Sequence, residues 1–380
     1  MSFAKTLLLR TELPTTPAVR AFARLLEPLD DRGLEALAAR AQALTRQHFG
    51  RVMRLFAPLY LSNECVNNCR YCGFSRDNAI LRVTLTRAQV VAEARHLAGQ
   101  GFRSILLVAG EHPKFVSNGY LADCIRAVRE EAGVPGVSLE VGPLETDDYR
   151  PLVAAGAEGL VVYQETYHPA TYGEMHTAGP KRDFAWRLAC PERAYAAGFR
   201  RLGVGALFGL WDWKAEALAL AAHVEHLLRA CWKAQISVSL PRLRPAAGEF
   251  VPRFALADRD FVQLLCALRV TFPQVGLVLS TREAPALRDA LIPLGVTTLS
   301  AGSHTEPGGY TGQGKADLHL TVRGRLVDAD LTAKPAGERR ATGQFDIADE
   351  RSPQEIAELL RSRHGLEPVW KDWDDALVEG

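Results

Sequence analysis

The sequence carries almost no net charge and no long apolar run. Its 45 basic and 44 acidic residues give a formal charge of +1, so no broad positive field is available to attract nucleic acid or an anionic membrane. No apolar stretch approaches the roughly 18 residues that a membrane span needs, and the first 16 residues lack the pattern of a secretion signal. We therefore expect neither a nucleic acid nor a membrane among the partners.

Cysteine is also scarce, and it is unevenly distributed. The chain has seven cysteines; an odd number with a local cluster argues against a disulfide framework and for a reducing, cytoplasmic location. The clustered ones are Cys65, Cys69 and Cys72. The other four lie in periodic apolar segments, where buried core thiols are expected: Cys124, Cys190, Cys231 and Cys266.

The three clustered cysteines have the spacing Cys-x3-Cys-x2-Cys. Thiolates are soft ligands that hold zinc or iron–sulfur centres. Three thiolates in one tight loop, without a nearby fourth ligand, favour a four-iron cluster with one iron open to a substrate or cofactor, whereas four-iron electron carriers use a cysteine on every iron. A zinc site completed by a distant histidine is the alternative.

The residues around this loop resemble the cluster loop of radical S-adenosylmethionine (SAM) enzymes. An apolar predicted strand precedes the loop, and an aromatic residue, Tyr71, stands directly before Cys72. The resemblance implies that the open iron is chelated by the amino and carboxylate groups of the methionine of SAM. It also implies that one electron splits the sulfonium and releases a 5′-deoxyadenosyl radical.

From about residue 55, short apolar runs alternate with amphipathic stretches. Repeated strand–helix–strand units predict a parallel α/β sheet, and eight of them suggest a closed (βα)8 barrel of the TIM type. An open doubly wound sheet is the alternative, although no G-x-G-x-x-G follows the first strand. The candidate strands are Leu55–Leu61, Ser104–Ala109, Val137–Val141, Gly159–Tyr163, Arg201–Ala206, Ile236–Leu240, Val275–Leu279 and Val296–Leu299.

Extensions are expected on both sides of the barrel. The pattern divides the chain into an N-terminal helical extension (1–54), the barrel (55–311) and a C-terminal extension (312–380). Within the last part, 312–343 lacks periodicity and is interpreted as a loop or lid. Ser352 followed by Glu355 predicts a capped helix over Ser352–Arg363, and the aromatic tail around Trp370 and Trp373 is expected to dock on the body of the protein.

Polar residues follow most of the predicted strands. In a (βα)8 barrel the carboxyl ends of the strands form the active site, so these residues indicate a polar pocket there. His112, His168 and His304 are among them, but single histidines are often merely hydrogen-bonded, and none is assigned as a base.

Several longer blocks narrow the resemblance to one family. They include Tyr163-Gln-Glu-Thr-Tyr-His, Leu279-Ser-Thr-Arg-Glu and Pro368-Val-Trp-Lys-Asp-Trp, and together they resemble the 2-iminoacetate synthases, the radical SAM tyrosine lyases of thiamine thiazole biosynthesis. The resemblance covers nearly the whole chain and is weakest in residues 1–50 and 312–343. It implies that the 5′-deoxyadenosyl radical takes a hydrogen from the amino group of L-tyrosine and that the Cα–Cβ bond then breaks. The products are 2-iminoacetate (dehydroglycine) and p-cresol, with 5′-deoxyadenosine and methionine as co-products. The implied partners are thiazole synthase and an electron donor of the flavodoxin or ferredoxin type.

The resemblance also implies roles for residues that would bind SAM. Gly110 and Glu111 match a glycine–glutamate segment that meets the methionyl amino group. Glu165 resembles a carboxylate that hydrogen-bonds the ribose hydroxyls, and Arg187 would pair with the methionine carboxylate. The alternatives are a surface-loop glutamate for Glu111, a solvated loop carboxylate for Glu165 and a helix-surface salt bridge for Arg187.

For tyrosine itself, Arg282 is the candidate partner of the substrate carboxylate, because arginine offers a planar fork of donors. Related aromatic amino-acid lyases add a serine from the eighth strand, for which Ser300 or Ser303 could match. A structural ion pair with Glu283 is the alternative for Arg282. Arg242 and Arg244 are weaker candidates for the same task.

Other radical SAM enzymes of aromatic amino acids are the rival interpretations. They are the hydrogenase-maturation tyrosine lyase, the deazaflavin synthases and the tryptophan lyases. The maturation enzyme carries a second cluster on cysteines of an additional C-terminal domain, whereas the last cysteine here is Cys266. One cluster per chain is therefore expected. A zinc-stabilised partner protein of thiazole synthase, with no activity of its own, would leave the polar strand ends unexplained.

Overall fold

The computed structural model describes residues 16–328 and 340–370. Its strands, in chain order, are β1 (Val52–Ser62), β2 (Asn68–Cys69), β3 (Ile80–Arg82), β4 (Ser104–Ala109), β5 (Gly136–Glu140), β6 (Gly159–Glu165), β7 (His176–Ala178), β8 (Arg201–Ala206), β9 (Gln235–Ser239), β10 (Gly276–Leu279), β11 (Thr298–Ser300), β12 (His319–Val322), β13 (Arg325–Val327) and β14 (Glu367–Val369). The helices are α1 (Pro17–Leu25), α2 (Asp31–Phe49), α3 (Arg87–Gly99), α4 (Asn118–Glu130), α5 (Thr146–Ala154), α6 (Pro169–Met175), α7 (Phe184–Leu188), α8 (Cys190–Ala197), α9 (Trp213–Ala230), α10 (Asp258–Thr271), α11 (Pro285–Leu291) and α12 (Pro353–Leu359).

Eight parallel strands close into a barrel. Their order is β1, β4, β5, β6, β8, β9, β10 and β11, and pairing of β11 with β1 completes the ring. The predicted (βα)8 fold is therefore confirmed, and each of the eight candidate strands corresponds to one barrel strand. β14 adds a further parallel strand beside the start of β1. None of the helices in the described ranges has the length and hydropathy needed to cross a bilayer.

The two faces of β1 show how the barrel is filled. Leu55, Ala57, Leu59 and Leu61 are at most 2% exposed and pack in the main hydrophobic core. The intervening residues Phe56, Pro58 and Tyr60 instead line an internal cavity. Because successive strand residues point to opposite faces, one face of the strand packs against the helices and the other shapes the site.

The N-terminal extension is helical, as its periodicity predicts. Thr16 and Asp30 cap α1 and α2 by accepting hydrogen bonds from the backbone N–H of Val19 and Gly33. α2 packs against α10, and the Thr45 hydroxyl donates to the carbonyl of Leu294 at 3.1 Å. The first barrel strand starts at Val52, slightly before the predicted boundary.

The C-terminal extension contains more regular structure than the expected loop. β12 and β13 form an antiparallel hairpin that pairs with β3, so part of residues 312–343 belongs to a small sheet. This pairing joins segments more than 200 residues apart, which local periodicity cannot reveal. Residues 329–339, within the same stretch, lie outside the described residues.

Later parts of the extension return to the barrel. Ser352 and Glu355 form the predicted capping box of α12, and a π-helical turn (Leu360–His364) leads toward β14. Trp370 packs edge-on against Phe102, with ring centroids 5.2 Å apart. The rest of the tail, including Trp373, lies outside the described residues.

Candidate active site

The loop that carries the three cysteines is held at both ends by one arginine. It leaves the carboxyl end of β1, and the guanidinium of Arg82 donates to the carbonyls of Asn63, Phe74 and Ser75. Arg82 is 1% exposed, and burial lowers its pKa. Charge-assisted hydrogen bonds to backbone carbonyls are strong when buried, so Arg82 holds the two ends of the loop in fixed positions.

The cysteine side chains share one environment. Cys69 is buried, and Cys65 and Cys72 are partly exposed. Burial raises the pKa of the Cys69 and Cys72 thiols, and their mutual repulsion as thiolates adds to the rise for Cys69. A soft, positively charged iron centre would reverse this by holding all three as thiolates.

The spacing of these ligands bears on the zinc alternative. Within the described ranges, no three Cys, His, Asp or Glu side chains lie close enough together to hold a single metal ion. A zinc site places each ligand within about 2.3 Å of one ion, whereas a four-iron cluster binds each thiolate on a different iron. Cysteines hold iron–sulfur clusters through their thiolates, so the chemistry of these three side chains fits such a cluster.

The end of β4 packs closely against the cysteine loop. A Cβ atom at Gly110 would lie 2.2 Å from the carbonyl oxygen of Glu64, so only glycine permits this approach. The backbone N–H of Val66 donates to the carbonyl of Glu111 at 2.8 Å, and the Asn67 amide donates to the Glu111 carboxylate at 2.6 Å. These bonds tie the second barrel strand to the loop, and they place Gly110 and Glu111 directly beside the cysteines.

Tyr71 is fixed by a buried histidine. Its hydroxyl lies 2.8 Å from Nε2 of His176, whose Nδ1 donates to the carbonyl of Tyr172 at 2.8 Å. Burial, together with the nearby Lys181 ammonium, lowers the pKa of His176 to about 3. The neutral imidazole therefore accepts a hydrogen bond from the Tyr71 hydroxyl, and the Tyr71 ring is held in one position beside Cys69.

At the end of β6, a backbone irregularity directs Glu165 into the site. The pairing of β6 with β8 shifts register between Tyr163 and Glu165, and Glu165 has a φ of 71°, in the left-handed region. Such a conformation costs about 1–3 kcal/mol in a residue other than glycine and tends to occur at functional sites. The bulge therefore places a carboxylate where a regular strand would not.

Glu165 is held between two cations. Its Oε1 lies 2.6 Å from Nζ of Lys181 and 3.4 Å from Nη2 of Arg187, and Nε of Arg187 donates to the carbonyl of Tyr163 at 2.7 Å. Burial raises the pKa of Glu165, but Lys181 and Arg187 outweigh burial and hold it below its usual value. Glu165 is thus an ionised, buried carboxylate, and neither it nor Arg187 lies on the surface.

Lys181 is a site residue that the sequence analysis missed. It lies in the short 3-10 turn Pro180–Arg182, and its backbone N–H donates to the side chain of Asn67 at 2.9 Å. Its ammonium also stands 5.6 Å from the centre of the Tyr71 ring. The turn has no periodicity that would mark Lys181 as a site residue, so only the tertiary structure shows its position.

A cavity opens inside the barrel at the carboxyl ends of the strands. It encloses about 690 Å³ of empty space, part of it open to solvent. Apolar and aromatic side chains form most of its wall, and a few polar groups project into it, as is typical of sites for small molecules. Its lining includes Phe56, Tyr60, Val108, Glu140, Tyr163, Leu240, Arg282, Ser303, Gln344 and Phe345.

Arg282 brings a partly buried positive charge to this cavity. Its guanidinium carbon lies over the Phe345 ring, 3.3 Å from the ring centre, and burial lowers the pKa of Arg282. Among the described residues, no carboxylate lies within ion-pair distance of it. The structure does not show the alternative pair with Glu283, because the carboxylate of Glu283 accepts hydrogen bonds from Arg242 instead.

The other candidate arginines differ from Arg282. Arg242 is bound to Glu283, to Asp258 at 2.7 Å and to the carbonyl of Leu256 at 3.0 Å. Arg244 lines a second cavity, which also borders Arg242 and Glu283. Neither arginine belongs to the lining of the first cavity.

The structure also distinguishes the two candidate serines. The hydroxyl of Ser300 accepts a hydrogen bond from the backbone N–H of Thr281 at 3.1 Å, so it supports the turn before Arg282. The hydroxyl of Ser303 is buried, lines the cavity and has no hydrogen-bond partner among the described residues. Buried polar groups rarely remain unpaired, so Ser303 is the serine available to a ligand.

Three further cavity residues carry polar groups. Glu140 ends β5 and faces the cavity; burial, followed by repulsion from Glu165, raises its pKa to about 7. The hydroxyl of Tyr60 donates to the side chain of Gln344 at 2.8 Å. Gln344 and Phe345 come from the C-terminal extension and close one side of the cavity. No local sequence pattern marks these two as site residues.

The three strand-end histidines lie outside the lining of this cavity. His168 caps α6 and stacks on Trp211, with ring centroids 3.9 Å apart. His112 packs against Phe115, and Nδ1 of His304 lies 3.4 Å from the carboxylate of Glu306. These contacts agree with leaving all three unassigned as bases.

Comparisons with known proteins place this geometry in a family. Residues 59–218 match the Radical SAM superfamily, and residues 239–367 match the Biotin and Thiamin Synthesis associated domain. The chain is 42% identical to the 2-iminoacetate synthase of Escherichia coli over 93% of its own length and 86% of that protein. It is 40% identical to the 2-iminoacetate synthase of Salmonella typhimurium over the same shares of both chains.

A solved structure shows the same architecture. The FeFe-hydrogenase maturase HydG from Carboxydothermus hydrogenoformans superposes with a TM-score of 0.81 at 35% identity, covering 97% of this chain and 79% of that one. The identity to the 2-iminoacetate synthases is higher and extends over most of both sequences. The chain therefore belongs to the 2-iminoacetate synthase family of radical SAM enzymes.

Proposed function

We propose that this protein cleaves the Cα–Cβ bond of L-tyrosine to 2-iminoacetate and p-cresol, with 5′-deoxyadenosine and methionine as co-products. The observation that carries the proposal is the Arg282 guanidinium, which has no carboxylate partner among the described residues and lies in an aromatic cavity inside the barrel. Removing an arginine from water, even in part, is costly unless a ligand or a side chain supplies a carboxylate. An aromatic amino acid supplies both the carboxylate and a ring for the apolar wall.

Cys65, Cys69 and Cys72 are the proposed ligands of one four-iron cluster. When bound, the cluster and SAM supply a 5′-deoxyadenosyl radical after transfer of one electron. The chain's own part is to hold the loop rigid through Arg82 and to fix the Tyr71 ring beside the thiols. The electron donor proposed from the family resemblance is of the flavodoxin or ferredoxin type.

The proposed SAM site lies between the cysteine loop and the end of β6. Gly110 and Glu111 adjoin the loop and are assigned to the methionyl amino group. Glu165 is assigned to the ribose hydroxyls, and Arg187 to the methionine carboxylate. Tyr71 provides an aromatic wall beside the cysteines. The ionised state of Glu165 supports its role, because a carboxylate accepts hydrogen bonds from both hydroxyls at once.

Arg282 and Ser303 are the proposed carboxylate-binding residues for tyrosine. Phe345 supports the face of the Arg282 guanidinium, which leaves the edges, where the N–H donors lie, available for a bidentate contact. The Ser303 hydroxyl, which has no partner among the described residues, can donate a further hydrogen bond. Ser300 is proposed to act indirectly, by supporting the backbone of Thr281.

The C-terminal extension is proposed to exclude water from the site. Gln344 binds the Tyr60 hydroxyl, and its carbonyl accepts a hydrogen bond from the N–H of Gly73 at 3.0 Å. The extension thereby connects the cavity wall with the cysteine loop. Closing a site in this way protects reactive intermediates from side reactions.

Thiazole synthase is the proposed recipient of 2-iminoacetate, and this partner rests on the family resemblance alone. The alternative activity is that of a hydrogenase maturase, favoured by the structural likeness to HydG. The greater identity to the 2-iminoacetate synthases supports the first proposal over the second.

Anaerobic turnover tests the proposal. Reconstituted protein, tyrosine, SAM and a strong reductant should yield p-cresol, detected by mass spectrometry, with glyoxylate from hydrolysis of 2-iminoacetate. Tryptophan in place of tyrosine should give no cleavage product. Absence of p-cresol from protein with a full cluster would contradict the assignment.

A further inference from the structure

A second charged group of the cavity lies opposite Arg282. Glu140 ends β5, and Arg282 follows β10. In the ring of eight strands β5 and β10 are four positions apart, so the two residues project from opposite sides of the barrel. In the described part of the chain, the Glu140 carboxylate takes part in no hydrogen bond or ion pair, and none joins it to Arg282.

We propose that Glu140 binds the α-amino group of the amino-acid substrate and accepts its proton before hydrogen is taken from the nitrogen. This proposal rests on the proposed function and adds a catalytic residue to it. A cation on one side of the cavity and a carboxylate on the other are complementary to the carboxylate and ammonium of one amino acid.

The proton transfer is a simple exchange. The ammonium N–H bond breaks, an O–H bond forms on the Glu140 carboxylate, and the substrate nitrogen becomes a neutral amine. The neutral amine has an N–H bond and a lone pair on nitrogen, whereas the ammonium has no lone pair. The lone pair stabilises the nitrogen radical that forms when a hydrogen atom is removed. A group that keeps the substrate as an ammonium would therefore slow the proposed reaction.

The environment of Glu140 is suited to accepting a proton. Glu165 faces it from β6 and raises its pKa, whereas Arg282, Arg187 and Lys181 lower it; burial is the largest influence, and the resulting pKa is about 7. Arg282 is the charge that lowers the pKa of Glu140 most. When the substrate carboxylate neutralises Arg282, this influence is removed and the pKa of Glu140 rises. Burial also disfavours the ammonium form of the substrate, so both changes move the proton toward Glu140. The hydroxyls of Tyr60 and Tyr163 are the other titratable groups nearby, and burial raises both of their pKa values.

The direction of the pH dependence follows from these groups. Glu140 must be ionised to accept the proton, so kcat/KM for tyrosine should rise as the pH increases through the pKa of Glu140. Below that pH the carboxylic acid neither attracts the ammonium nor takes its proton. The Glu140→Gln variant keeps the size of the side chain but has no titrating group. Its kcat/KM should therefore not show the rise with pH, here called the acid limb of the pH profile.

The experiment compares the holoenzyme with Glu140→Gln and Glu140→Asp between pH 6 and 9. We expect Glu140→Gln to lower kcat/KM for tyrosine roughly 10- to 150-fold, the range for loss of a hydrogen bond to a charged group. The variant should also lose the rise of kcat/KM with pH. Glu140→Asp should restore part of the rate together with the limb. Asp147→Asn is the matched control, because its carboxylate is exposed on α5 and pairs with Arg150 at the surface.

A binding measurement separates recognition from a purely structural role. The desamino analogue 3-(4-hydroxyphenyl)propionate has the ring and the carboxylate but no amino group. It should compete with tyrosine about as well in Glu140→Gln as in the wild type, while the variant's affinity for tyrosine falls roughly tenfold. Equal loss of affinity for both compounds would indicate a distorted cavity and overturn the role of Glu140.

The outcomes distinguish the role of Glu140 from the proposed function. Wild-type protein that forms p-cresol while Glu140→Gln keeps the wild-type rate and acid limb would overturn the assignment of Glu140 only. Wild-type protein that forms no p-cresol would overturn the proposed function. Iron content and circular dichroism of each variant establish that the compared proteins are folded and loaded with the cluster.

Discussion

Replacing Arg282 by lysine should impair the use of tyrosine more than it impairs the binding of SAM. The guanidinium stacks on Phe345 at 3.3 Å from the ring centre and has no carboxylate partner among the described residues. Lysine keeps the positive charge but has neither the planar fork nor the flat face for stacking. The substrate carboxylate would therefore be held by one donor instead of two and would be poorly oriented.

The size of the effect follows from the contact that is lost. One hydrogen bond to a charged group is worth about 1.5–3 kcal/mol, which corresponds to a rise of roughly 10- to 150-fold in the apparent KM for tyrosine. Misplacement of the substrate should lower kcat as well. The affinity for SAM should change less than about threefold, since the groups proposed to bind SAM keep their own contacts with the chain.

Stability provides an independent measure, with Arg242 as the matched comparison. Arg282→Met removes a partly buried cation that has no carboxylate partner among the described residues, so the free energy of unfolding should stay within about 1 kcal/mol of the wild type. Arg242→Met leaves the 4%-exposed carboxylate of Glu283 unpaired. We expect that change to cost about 2–3 kcal/mol, below the 3–5 kcal/mol typical of fully buried pairs, since the Arg242 side chain is 21% exposed.

The assay is steady-state formation of p-cresol against tyrosine concentration, with SAM affinity from equilibrium binding and stability from denaturant unfolding. An unchanged KM for tyrosine in Arg282→Lys would remove this residue from the substrate site. A large loss of stability in Arg282→Met would show that the guanidinium has a structural partner and is not held ready for a ligand.

The cluster and SAM sites give three further predictions. Alanine in place of Cys65, Cys69 or Cys72 should abolish 5′-deoxyadenosine formation and iron binding while the circular dichroism spectrum is kept, and normal turnover by Cys69→Ala would contradict the ligand assignment. Lys181→Met should weaken SAM binding about tenfold, because Glu165 loses its ion-pair partner at 2.6 Å. A tenfold loss corresponds to about one charge-assisted hydrogen bond. An unchanged dissociation constant for SAM would argue against a role of Lys181 in the SAM site. Reconstituted chains should contain one cluster, so iron analysis should give about four iron atoms per chain and no carbon monoxide should appear, whereas about eight iron atoms or carbon monoxide would favour the maturase alternative.

Local sequence patterns were sufficient to predict the barrel. The period-two strands and amphipathic helices between them depend on near neighbours in the chain, and the predicted ranges of β4 and β8 coincide with the observed ones. The cysteine spacing likewise lies within one loop. The hairpin β12–β13 was missed because its partner strand β3 is distant in sequence, and pairing across such distances leaves no local period.

The candidate site likewise contains some residues that local sequence patterns predict and others that only the folded chain brings together. Arg282 and Glu165 lie at the ends of predicted strands, so the carboxyl-end rule for barrels could locate them. Lys181, Gln344 and Phe345 come from irregular segments, and only the folded chain brings them to the site. The pairing of Arg242 with Glu283 is also a tertiary feature, and it shows which of the neighbouring arginines remains available to a ligand.

The most direct test of the central claim is the stoichiometry of tyrosine cleavage. With 13C-labelled tyrosine, SAM and a reductant under anaerobic conditions, the protein should form p-cresol, labelled glyoxylate and 5′-deoxyadenosine in equal amounts, and only when tyrosine is present. Formation of 5′-deoxyadenosine without p-cresol, by protein that holds a complete cluster, would contradict the assignment of this chain as a tyrosine lyase.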